Sequence, residues 1–162
     1  MPEDSTLAFW KEHREQLRQS ESQRALLTNY ILVIVAAVSG FIVQQHFVLH
    51  TLPLSVLVIV IGLYGALASA KYHERAEYHL SQARALTRAL VEGGALSDHG
   101  SSLEEYRQVH YLKYPRLHRI RLNRLWTGLH VGVCFYGIML LIITLLMLGG
   151  LQLGLPPRGR QD

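Results

Sequence analysis

The chain has 162 residues, 49% of them apolar, with a formal charge of +4, a pI near 9.4 and a mean hydropathy of +0.15. Those averages hide a split: three stretches are almost wholly apolar and nearly all charges lie between them, which excludes a soluble globular core and fits bilayer-spanning helices of about 20 residues. The basic residues flank apolar runs, so lipid phosphate is a nearer partner than nucleic acid; Cys134 is the only cysteine and has no partner for an internal disulfide.

Residues Ser5 to Arg24 read as a polar helix. Ser5 and Thr6 are candidate caps, and Leu7, Trp10 and Leu17 recur at near-helical spacing. The first apolar run begins near Ala25, behind five acidic and four basic residues. A signal peptide would place its apolar run closer to the start, so this span is expected to stay in the mature protein. The first span covers about 25–43 and ends at Gln44, Gln45 and His46. The second covers about 54–70 and is led by Pro53, which suits a first helical turn. The turn between them carries no Lys, Arg, Asp or Glu.

Beyond Lys71 the helix is expected to continue. Ala76, Leu80, Ala83, Thr87 and Leu90 form an apolar stripe between charged faces. Gly93 and Gly94 should end it. Ser101 with Glu104, or Ser102 with Glu105, fits a capping box that opens another helix, and Pro115 should interrupt it. Arg116, Arg119, Arg121 and Arg124 then lead to Trp126 and a third span at about 125–148. The tail, 149–162, contains Pro156 and Pro157 and is expected to be loose. The reading is an all-α integral membrane protein with three transmembrane helices. It comprises an N-terminal helix (1–24), a hairpin (25–70), a cytoplasmic helical region (71–124), the third span and the tail.

Four basic residues precede span one, none lie in the hairpin turn, ten lie between spans two and three, and two lie in the tail. The positive-inside rule places the N-terminus and residues 71–124 in the cytoplasm and the C-terminus outside, as in a bacterial inner-membrane protein.

Small residues recur one turn apart. Gly62, Ala66 and Ala70 form one line, Gly65 and Ser69 another, and Gly128 with Gly132 makes a literal GxxxG. Such faces allow close helix packing, within a chain or between copies. His130 and Cys134 stand four apart inside the third span, and a polar group at that depth is a functional candidate. Gln44, Gln45 and His46 could ring a pore mouth or mark the water boundary. Arg116, Arg119, Arg121 and Arg124 suit anionic lipid headgroups. His73 and His79 do not match the HExxH zinc pattern, since Glu77 stands four after His73. No phosphate loop, nucleophile elbow or Cys/His metal spacing is present, so no cofactor and no enzymatic activity are expected, and His73, His79 and His110 offer little basis for one.

The polar helix with Trp10-Lys-Glu-His-Arg-Glu, the tight hairpin, and the returning segment Lys71-Tyr-His-Glu-Arg-Ala-Glu-Tyr-His79 together resemble the small two-span bacterial membrane effectors called SLATT proteins. The resemblance covers about residues 7–90 and is architectural. It implies a pore-forming or membrane-disrupting effector of nucleotide-activated antiphage systems. The expected function is a self-associating membrane effector that perturbs the bilayer when triggered by a protein or nucleotide signal. The alternative is a membrane anchor whose helices at 71–92 and 101–114 dock a soluble partner.

Overall fold

The computed structural model describes residues 2–94, 100–116 and 121–153, with side chains described for 4–94, 105–116 and 121–149. Those residues are helical apart from their connections. Helix α1 runs Pro2–Gln44, α2 Leu52–Glu92, α3 Gly100–Lys113 and α4 Leu122–Leu153, and a short 3₁₀ turn at Leu49–Thr51 precedes α2. Three of these helices are long and apolar enough to cross a membrane.

The polar N-terminal helix and the first apolar run are one continuous helix of 43 residues. It starts at Pro2, where a proline fits the first turn. Ser5 and Thr6 therefore lie inside α1 rather than capping it. The second apolar run likewise continues unbroken to Glu92, as the 76–90 stripe implies. Gly94, with φ +85°, closes that end in a conformation suited to glycine. Helix α3 begins at Gly100, which places the backbone of Ser101 and Ser102 in its first turn. The capping-box side chains Ser101, Ser102 and Glu104 lie outside the described residues. The helix stops at Lys113, two residues before Pro115, whose ring cannot continue it. Helix α4 starts at Leu122 and runs on to Leu153, so the opening residues of the expected tail are helical.

The fold divides into two compact units. One is built from Met1–Leu26 and Ala68–Trp126, the other from Leu27–Leu67 and Thr127–Asp162. In the second unit the buried positions are Thr28, Ile31, Val35 and Ile42 on α1, Ser55, Val58, Gly62 and Gly65 on α2, and His130, Val133, Gly137, Leu140 and Thr144 on α4. These steps of three and four repeat every seven residues, the pattern of left-handed helix packing. The outward faces carry the larger apolar groups: Phe41, Leu57, Leu63, Leu67, Phe135, Ile142 and Leu146 are all exposed. Only 22–28% of each apolar window is buried, the reverse of a soluble core.

The first unit pairs the polar halves of α1 and α2 antiparallel. Trp10 Nε1–H donates to Thr87 Oγ1 at 2.9 Å, His13 meets His79, and Arg75 donates to Gln16 Oε1 at 3.1 Å. Ala76, Ala83 and Leu90 are buried beneath these contacts.

The hairpin turn in the second unit is closed by its backbone. His46 N–H donates to Val43 O at 3.0 Å and Phe47 N–H to Ile42 O at 3.3 Å, the two bonds of a Schellman cap. His46 occupies the left-handed position of that cap with φ 56°, and Phe47 follows at φ 55°. Thr51 is fully buried; its hydroxyl and its N–H both donate to Val48 O. Histidine tolerates the left-handed region better than β-branched residues do. Replacing His46 with Val should cost about 1–2 kcal/mol, whereas His46→Gly should be neutral or mildly stabilising. Thermal unfolding of both variants in detergent micelles checks this.

Candidate functional site: a glycine seam and an arginine cavity

In the second unit, α2 and α4 run antiparallel with their backbones nearly touching. A Cβ added at Gly62 would lie 2.6 Å from Cys134 N and 2.8 Å from Cys134 Cα. One added at Gly137 would lie 2.8 Å from Ile59 N. At Gly65 the added carbon would collide with the His130 ring and with Ile31 Cδ1, the latter at 2.8 Å. Gly65 thus clears the space in which His130 sits fully buried. The other face of the ring is fixed by its Nε2, 3.1 Å from Thr28 Oγ1. A buried hydrogen bond between α1 and α4 is thereby set beside a close approach of α2.

Gly128 and Gly132 behave differently. Both are exposed, and a Cβ at either meets nothing within 4 Å. Gly40 on α1 is likewise open. The literal GxxxG of α4 thus packs against none of the described residues, while Gly62, Gly65 and Gly137 are spent on internal packing. Of the remaining small residues, Ala66 is half-buried, Ala70 exposed and Ser69 buried. Cys134 is half-buried, with its backbone against Gly62. Gln44 ends α1 and is exposed, Gln45 is half-buried, and the His46 side chain is exposed.

The first unit contains a cavity of about 720 Å³. Its cationic groups are Arg24, Arg84 and Arg121, contributed by α1, α2 and the residue preceding α4. Glu21, Glu77, His73, Tyr111 and Asn123 add polar lining, and Leu17, Ala76, Leu80 and Leu122 form an apolar wall. Arg24 is 5% exposed, and its guanidinium lies 5.6 Å from the centroid of the Trp126 ring, a cation–π contact that fixes it. Of the four arginines ahead of the third span, Arg121 joins this cavity. Arg116 and Arg124 are exposed without lining it, and Arg119 lies outside the described residues. Arg24 and Arg84 were not singled out from the sequence. Arg24 nevertheless carries a signal: it sits one turn before Thr28 and two before Ile31, in the phase of the buried stripe, where a charged residue is unexpected.

His13 and His79 form a second polar contact, with their Nδ1 atoms 3.0 Å apart and Tyr78 edge-on to both rings. One ring must donate and the other accept, so the contact requires a neutral acceptor. Burial lowers the His79 pKa from its ordinary value, and His13 and Arg75 add to the shift against an opposing Glu12. Among the described residues, no three His, Cys, Asp or Glu side chains converge as a metal set.

Compared with protein-family models, curated proteins and solved structures, the chain matches none.

Two expectations follow. Gly62→Ala or Gly137→Ala must push α2 from α4 and should cost about 1–3 kcal/mol. Gly128→Ala and Gly132→Ala should leave folding stability unchanged or raise it by up to about 1 kcal/mol through helix propensity; denaturation of the four variants in one detergent separates them. For the histidine pair, the folded chain holds the His79 proton less tightly than the unfolded chain. Stability present above pH about 6.5 should therefore fall as pH drops below it. Unfolding midpoints between pH 7.5 and 5.5 should show this slope, reduced in His79→Gln.

Proposed function

We propose that this chain inserts into the bacterial cytoplasmic membrane as a three-span bundle and self-associates into an effector that perturbs the bilayer when triggered. The supporting observation is the GxxxG of α4: Gly128 and Gly132 stand on an exposed helix face with nothing beside them among the described residues. In lipid, helix association is driven by close packing, and such a face lets a second helix approach to backbone contact. The other close-packing glycines already serve the internal α2–α4 seam, so the two roles fall to different residues.

In this reading the positive-inside rule puts the N-terminus and residues 71–124 in the cytoplasm, with the C-terminus outside. Arg116, Arg119 and Arg124 meet anionic lipid phosphate. Gln44, Gln45 and His46 stand at the opposite membrane boundary, where copies arranged in a ring would line its mouth. The trigger is a protein or nucleotide signal received by the cytoplasmic helices.

A second reading, a membrane anchor for a soluble partner, is favoured by α3. Every described residue from Glu105 to Lys113 is exposed, including Tyr106 at 74% and Leu112 at 80%. The exposed Tyr106, Val109, Tyr111 and Leu112 suit contact with a protein partner.

Stoichiometry in nanodiscs, measured together with dye leakage from liposomes, tests the proposal. The purified chain should form a multimer that releases dye, and Gly128→Leu or Gly132→Leu should abolish both while the monomer still folds. A monomeric chain that leaves liposomes sealed would sink the effector reading and leave the anchor.

A further inference from the structure

We infer that the arginine cavity is a binding site for a phosphate group, supplied first of all by the headgroup of a membrane lipid. Three guanidinium groups, of Arg24, Arg84 and Arg121, line one concave space with two carboxylates, of Glu21 and Glu77. The balance is a single positive charge, which one phosphodiester neutralises. Guanidinium groups bind phosphate through paired, charge-assisted hydrogen bonds, and a concave wall strengthens the attraction by excluding water.

The arginines differ in freedom. Arg24 is almost wholly buried and fixed over Trp126, whereas Arg84 and Arg121 are exposed. Among the described residues, neither of the latter two forms an ion pair. One fixed and two adjustable cations are well suited to close on an entering anion. Glu21 and Glu77 act against an anion that lacks a precise fit, which favours selection over general attraction.

The apolar wall and the position of the arginines along the chain favour a lipid as the source of the phosphate. Leu17, Leu80 and Leu122 offer hydrocarbon contact beside the cations. Arg24 immediately precedes the first apolar run of α1, and Arg121 immediately precedes α4. An amphiphile with a phosphate at one end satisfies both kinds of lining. The site does not depend on self-association, since binding is read per chain.

The test uses the full chain, delipidated in a maltoside micelle, which carries no phosphate. Dioctanoyl phosphatidylglycerol, glycerol 3-phosphate and inorganic phosphate are titrated in separate arms by calorimetry. Saturable binding of about one lipid per chain is expected, with affinity at least tenfold lower in the double variant Arg84→Gln/Arg121→Gln and unchanged in Arg88→Gln, an exposed arginine of α2 outside the cavity. Glu77→Gln should tighten binding severalfold, a gain that misfolding cannot imitate. Equal binding of glycerol 3-phosphate would keep the phosphate site and assign it to a soluble ester. Absence of saturable binding in all three arms, equal loss in Arg88→Gln, or weakening in Glu77→Gln would overturn the site.

Discussion

Where α2 meets α4 there is no room for a single methyl group. Gly62 faces the backbone of Cys134, Gly137 faces the backbone of Ile59, and Gly65 faces the His130 ring. In the membrane-inserted arrangement proposed above this crossing matters, because there burying leucines gains nothing over leaving them in lipid. What remains is dispersion between surfaces that fit closely and hydrogen bonds shielded from water. The second unit uses both at one place. Small residues bring the two backbones together, and the gap left by Gly65 admits an imidazole whose Nε2 meets Thr28 on the third helix. Removing the glycine would remove the ring's space, and with it the polar contact joining α1 to α4.

The first unit solves a different problem. Its helices carry charges on their outer faces, so alanine and leucine burial against water contributes in the ordinary way. Here the polar rungs between α1 and α2 fix register. Trp10 to Thr87, His13 to His79 and Gln16 to Arg75 step in opposite directions along the two helices. A slip of either helix would break all three together. The exposed pairs Arg18–Glu15 and Lys71–Glu74 add little to this, since solvent screens them.

Much of this architecture was legible in the sequence. Three uninterrupted apolar runs leave few alternatives to long apolar helices, and the 76–90 stripe implied a helix continuing past Lys71. The helix ends at Gly94 and before Pro115 followed from backbone restrictions that act locally. Other features were hidden for a physical reason. The spacing of Gly62, Gly65, Gly128 and Gly132 is the same whether a glycine faces its own chain or another molecule, so only three-dimensional packing separates them. Gly137 carries no partner glycine one turn away on its own helix, yet it too lies against the α2 backbone. The cavity was equally invisible, because Arg24, Arg84 and Arg121 come from distant parts of the chain and converge only when α1, α2 and the start of α4 pack. Among the basic residues ahead of the third span, sequence could not distinguish Arg121, which lines the cavity, from the exposed Arg116 and Arg124.

The unused glycines of α4 bear on what the chain is for. A glycine inside a helix is about 1 kcal/mol less favourable than alanine, because it loses more backbone freedom on folding. At Gly62, Gly65 and Gly137 that cost is offset by contacts no other residue would permit. At Gly128 and Gly132 no contact among the described residues offsets it, because alanine would fit either position with space to spare. Lipid tails do not require glycine, since flexible chains fill a flat surface as readily as a groove. A rigid surface does require it, when its backbone must come as close as Cys134 comes to Gly62. Helix α4 thus has one glycine face closed by α2 and another, at Gly128 and Gly132, left open, and the proposed self-association would use the open one.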